Sequence, residues 1–249
     1  MSTSDQSTEP AAQVVRVSTA AEMGTAGRVR VGLRSYYSTH FLAAAQDAAD
    51  EAADLEAELL GQHDRRFSLR HRGLVLTAVI ESVAFLEAVI NEVLQDATDG
   101  HITEKLEGVD SEVRRSWAGI WEALGQGETG RNLERYQAAL IAAGVEPFDK
   151  GAEPWQSAQL LVQLRNHLVH YKPATVYSDE PEKLVTRLEH KLDPNPLSTN
   201  TGQVDGWLSA ECARWAVDSA VALVGAFADR TGARPNYMTT LDNLRRDNA

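Results

Sequence analysis

The chain has a single cysteine, Cys212, in 249 residues, which excludes an internal disulfide and any paired-cysteine metal or redox motif. It also lacks an uninterrupted apolar run of bilayer length. The most apolar stretch, Gly73 to Leu94, carries Glu81, Glu87, Asn91 and Glu92. A membrane crossing would bury those carboxylates without partners, so a core helix is expected instead, with no membrane partner. Met1 to Pro10 has neither the basic start nor the apolar segment of a secretory signal, and the expected location is the cytoplasm. Positive charge is the minority sign: 24 Lys and Arg face 36 Asp and Glu, for a formal net charge of -12. That balance opposes a general binder of nucleic acid, whose affinity comes from clustered cations, so any RNA contact must be local. Phosphate loops of the Gly-x4-Gly-Lys-Ser/Thr kind, His-Glu-x-x-His helices, calcium-loop spacing and the nucleophile elbow are all missing. Neither a metal nor another cofactor is expected.

What is present is helical periodicity. Ser35 to Leu60 is dense in Ala and Glu, with Phe41, Leu42, Ala45, Ala49, Ala52, Leu55 and Leu59 at helical spacing and Gly61 as a stop. Phe67 to Asp96 predicts a longer helix whose apolar residues wrap most of its circumference, interrupted by Glu81, Glu87, Asn91, Glu92 and Gln95, as suits the centre of a bundle. Shorter helices are expected at Ile102 to Leu106, Ser111 to Leu124 and Asn132 to Ala143, separated by glycine breaks and resembling a lid or an insertion at about 100–150. A further helix runs from Pro154 to Lys172, where Pro173 disfavours helical backbone in its predecessor. Pro181 to Lys191 predicts a short helix, and Trp207 to Arg230 a long one ended by Gly232, with Trp207, Ala210, Ala213, Trp215, Val217, Val221, Val224 and Phe227 on its apolar face. Only Val14 to Val17 and Arg28 to Leu33 read as short strands, so the fold class is all-α. Residues 1–30 are expected to form a disordered tail, 31–232 the helical domain, and 233–249 a C-terminal tail.

The candidate chemistry lies in Leu164-Arg165-Asn166-His167-Leu168-Val169-His170-Tyr171-Lys172-Pro173. An arginine supplies a fixed charge with fork geometry, and a histidine five residues on titrates near neutrality, a combination suited to a phosphodiester. The same spacing recurs between Arg34 and His40 and between Arg65 or Arg66 and His71. Three features single out Arg165 and His170: the polar Asn166 after the arginine, the proline-closed helix end, and the earlier long helix with Glu87 and Asn91. At about 100° per residue, five residues turn His170 roughly 140° from Arg165, so one helix does not easily aim both at one atom. Two copies across a symmetric dimer can. A second cationic cluster, Arg65, Arg66, Arg70, His71 and Arg72, is a candidate RNA-binding patch or a solvated turn with ion-pair partners.

An arginine followed by a histidine after four to six residues resembles the core motif of the HEPN superfamily, and the likeness extends over about residues 35 to 230. The resemblance implies an antiparallel helical bundle with inserted short helices, in which Glu87 or Asn91 on the core helix faces the site. It implies a homodimeric, metal-independent endoribonuclease acting on single-stranded RNA, as a toxin or an anti-phage effector, with an antitoxin or regulatory protein as a further partner. Arg165 and His170 are then catalytic, with His170 moving a proton as general base or acid and Arg165 stabilising phosphoryl charge, while Asn166 orients phosphate or His170. Tyr171 is adjacent to the histidine, whereas one HEPN subgroup has its tyrosine two places beyond. Two alternatives stay open: a non-catalytic HEPN-like module that binds RNA, a nucleotide or a protein, and a purely structural role in which Arg165 pairs with Glu87 and His170 caps helix carbonyls.

Overall fold

The computed structural model of the chain describes residues 18–23, 29–62, 67–101, 105–124, 132–172 and 183–237. It divides into two units, residues 1–36 and 37–249. In the first, β1 (Ser18–Met23) pairs antiparallel with β2 (Val29–Arg34), in a register that sets Ser18 opposite Arg34 and Met23 opposite Val29. The strand expected at Arg28 to Leu33 is present one residue later. The one expected at Val14 to Val17 lies outside the described residues, and β1 occupies part of the tail expected to be disordered. β-Branched Val29 and Val31 favour extended backbone in β2, and pairing supplies Ser18–Met23 with the hydrogen bonds that its weak strand propensity does not.

The second unit is all-α. Its helices are α1 (Ser38–Gly61), α2 (Leu69–Thr98), α3 (Ser111–Leu124), α4 (Asn132–Ala142), α5 (Trp155–Val169), the short α6 (Lys183–Leu188) and α7 (Ala210–Thr231), with a 3-10 turn at Val204–Trp207 before the last. α2 is the hub, packing against α1, α3, α4, α5 and α7. By length and composition it is apolar enough to cross a membrane, and half of its most apolar window is buried within this bundle. α1 lays a stripe of small residues, Ala45, Ala48, Ala49 and Ala52, into the core beside Leu42. The middle helices are not a lid: Trp117, Trp121, Leu133, Tyr136 and Leu140 are core residues, because the apolar faces of α3 and α4 close on α2 and on each other. Within the expected Ile102–Leu106 helix, residues 102–104 lie outside the described residues and Lys105 to Gly108 form a turn. Trp207 belongs to the 3-10 turn, since Ser209 caps α7 by accepting from the Cys212 N–H at 3.2 Å. Ala233, Pro235 and Tyr237, expected in a tail, are buried, with Tyr237 edge-on to Phe85.

Carboxylates fix the helix ends. Glu92 of α2 accepts from the N–H groups of Tyr37 and Ser38 at 2.9 Å each and from the Ser38 hydroxyl at 2.8 Å, anchoring the start of α1. Glu56 of α1 accepts from the Ala210 N–H at 2.8 Å and lies 3.0 Å from Nε2 of the buried His71, joining α1, α2 and α7 at one point. At the far end of α7, Gly232 adopts φ 74° and an added Cβ would sit 2.7 Å from the carbonyl oxygen of Gly108.

Two outcomes follow from these contacts. Gly232→Ala strains a left-handed backbone and collides with Gly108, so it should lower stability by about 2 kcal/mol or more, whereas Gly225→Ala, in open space inside α7, should raise it by roughly 0.5–1 kcal/mol. Thermal melts of the two variants check this. Burial pushes the Glu92 carboxyl above its ordinary value, against the lowering effect of its hydrogen bonds with Ser38 and Tyr37 and of the Lys105 charge. A raised native pKa means that the native state holds the proton more tightly, so stability from this group falls as pH rises through that window. Denaturant titrations should therefore show the parent gaining on Glu92→Gln as pH drops from about 7 to about 4.

Candidate functional site

Three polar side chains stand four residues apart on α2, Glu87, Asn91 and Gln95, and so share one face of the helix. The other helices meet each of them with a donor. The Glu87 Oε2 accepts from Asn132 Nδ2 at 3.0 Å and lies 3.9 Å from the Arg165 Nη2. Asn91 Oδ1 accepts from Arg135 Nη1 at 2.6 Å, and the Arg135 guanidinium sits over the Trp121 ring, 5.3 Å from its centroid. Gln95 Oε1 accepts from the Trp121 indole N–H at 2.7 Å and its amide donates to Asp99. α2, α3, α4 and α5 are thus tied through one polar seam.

α5 delivers the arginine. Trp155, Ala158, Leu161 and Leu164 bury its inner face, which turns Arg165 toward Glu87 at the rim of the core. Arg165 Nη1 donates to Asn166 Oδ1 at 3.0 Å, and its side chain keeps 22% of its surface in solvent. Among the described residues this is its single hydrogen bond, because 3.9 Å to Glu87 is an ion contact too long to be one. The guanidinium, with five N–H donors, therefore has donors to spare.

Where the sequence predicts helix to Lys172, α5 ends at Val169 and His170 is the C-cap, with φ -104° and ψ 28°. Residues 169–172 are all exposed, so little packing energy holds a last turn together, and Pro173 lies outside the described residues. The His170 backbone N–H still reaches the Asn166 carbonyl at 3.0 Å, while its imidazole stands in solvent without a hydrogen bond among the described residues. Val169 and Tyr171 flank it, 50% and 59% exposed, and Tyr171 packs edge-on to His167.

Of the expected site residues, Arg165, Asn166 and Glu87 come together, Asn91 lies one turn further along the same seam, and His170 and Tyr171 stand at the open end of α5. The pairing of Arg165 with Glu87 that a structural role requires is present, but His170 caps with its backbone and not with its ring. In the second cationic cluster Arg70 pairs with Glu51 at 3.5 Å, and Arg72 pairs with Asp205 while lying over Phe67, so these charges have carboxylate partners. Arg65 and Arg66 lie outside the described residues. His71 is buried against Glu56, whereas His40 is exposed beside the Tyr37 ring. Asn132 and Arg135 were not anticipated. Their signal was a polar pair on the same helical turn as Leu133 and Tyr136, at positions where a buried face wants apolar residues.

No three His, Cys, Asp or Glu side chains converge as metal ligands would among the described residues. A scan against protein-family models finds no match for the chain, and searches of the curated proteins and of the solved structures find none either.

Because Arg135 is buried and charged, truncating its acceptor should be costly: Asn91→Ala is expected to lower stability by about 1.5–3 kcal/mol. In a denaturant double-mutant cycle, adding Arg135→Met should cost less than the same change made in the parent, because the two side chains are coupled.

Proposed function

We propose that the chain is a HEPN-like ribonuclease that cuts single-stranded RNA without a metal ion and works as a homodimer, in a toxin or anti-phage role under the control of a regulatory partner. The observation that carries this is the openness of the pair: Arg165 is braced by Asn166 and Glu87 yet has unused donors among the described residues, and His170 is exposed five residues on. A purely structural pair would have both groups satisfied internally. In the reaction the ribose 2′-oxygen attacks the adjacent phosphorus, forming a cyclic phosphate, while the bond to the 5′-oxygen breaks. One imidazole takes the 2′-hydroxyl proton and one returns a proton to the leaving oxygen. Two copies of His170 in a dimer groove fill both roles, and the Arg165 forks bind the phosphoryl oxygens as charge builds on them. Val169 and Tyr171, exposed beside His170, give the same surface apolar area for the second copy.

The alternative is a non-catalytic HEPN-like module binding RNA, a nucleotide or a protein, and it is favoured by the net charge of -12 and by the carboxylate partners of Arg70 and Arg72. Incubating the purified protein with single-stranded RNA in excess chelator separates the two. The nuclease should leave 2′,3′-cyclic phosphate ends, with His170→Ala and Arg165→Ala each lowering the rate by about 10²-fold or more while their melts stay intact. Cutting undiminished in both variants removes the site; RNA retention without cutting supports the binding module.

A further inference from the structure

Asn132 is a buried polar residue of which the bundle uses only one end. It opens α4 in a buried position, only 4% exposed, with Leu133, Tyr136 and Leu140 carrying the packing of that helix. Its Nδ2 donates to Glu87 Oε2, while its own Oδ1 is buried with no hydrogen-bond partner among the described residues. A buried acceptor left unmet opposes folding, and an apolar side chain of similar volume would avoid it. Its role is therefore sought in the oxygen it holds.

That oxygen is also the one nearest Arg165. Asn132 takes it at 3.0 Å, and the Arg165 Nη2 stops at 3.9 Å. A free carboxylate beside a guanidinium closes to a two-bond fork, which neutralises the charge and uses the donors that face it. We infer that Asn132 is a positioning residue for Arg165: by occupying Glu87 Oε2 it keeps that carboxylate from clamping the guanidinium, which stays near enough to be oriented and loose enough to receive a phosphoryl group. Glu87 sets the direction of Arg165, Asn166 fixes one of its nitrogens, and Asn132 limits how tightly Glu87 holds it. The value of this for RNA rests on the function proposed above, but the arrangement of the three side chains can be tested without RNA.

Phenylglyoxal reacts faster with unclamped guanidinium groups, and its addition at each arginine of the full chain is read by mass spectrometry. Asn132→Ala should slow modification of Arg165 by about threefold or more, with exposed Arg70 unchanged as the internal reference, and adding Glu87→Gln should restore the parent rate. A packing role for Asn132 predicts no such rescue. Arg165 modified at the parent rate in a folded Asn132→Ala protein, or slowed modification that Glu87→Gln does not restore, overturns the inference. If Asn132→Ala does not fold, Asn132→Leu, of similar volume and without the amide, must show the same slowing and the same rescue by Glu87→Gln, and their absence overturns it. In parallel RNA assays, kcat/KM should fall in Asn132→Ala and recover in the double variant. A parent that cuts no RNA while the labelling pattern holds defeats the nuclease proposal and leaves the positioning role standing.

Discussion

The seam that Glu87, Asn91 and Gln95 draw along α2 is the constraint on which the rest of the bundle depends. Each of these groups loses water when α3, α4 and α5 pack against it, and burial without a partner costs more than an ordinary hydrogen bond returns. The partners are consequently specific: Asn132 and Arg165 for Glu87, Arg135 for Asn91, and the Trp121 indole for Gln95. Apolar faces made of Ala, Val and Leu can slide or rotate against one another at little cost. A polar residue every fourth position fixes both the rotation and the height of each neighbouring helix. Glu92, about 100° round α2 from Asn91, pins the first turn of α1 in the same way.

Seen from this seam, the placement of Arg165 is a consequence of packing. The core face of α5 settles the helix, Glu87 meets the guanidinium at the rim of the core, and the exposed residues beyond Leu168 let the helix end early, which puts His170 in water. One cation is thereby held in a defined direction and one imidazole stands in water, on a protein whose formal net charge is -12.

Helix periodicity made the bundle legible. The long helices fall within a few residues of the positions that their apolar spacing dictates, and α2 is central because its apolar residues wrap nearly all round, leaving no face for solvent alone. The candidate site was legible in part. Arg165, Asn166 and Glu87 could be paired from the end of one helix and the polar interruptions of another. Asn132 and Arg135 could not, because which face of α4 is buried depends on its tertiary neighbours, and a polar residue beside a glycine break reads locally as a cap or a solvated turn. The early end of α5 was hidden for the same kind of reason: proline limits where a helix must stop, whereas burial decides where it actually does. In the first unit, β1 was missed because Ala20, Ala21 and Glu22 carry little strand signal and Thr19 alone does not outweigh them without the pairing partner.

The central claim is that Arg165 and His170 jointly receive a phosphodiester at the open end of α5. Titrating the protein with an uncleavable 2′-O-methyl oligoribonucleotide, while following the side-chain NMR signals of labelled arginine and histidine, tests it most directly. The account predicts saturable shifts at Arg165 and His170 with a common midpoint, and little change at Arg70 or the buried His71. Shifts confined to other residues, or saturation with both of these signals unmoved, would contradict it.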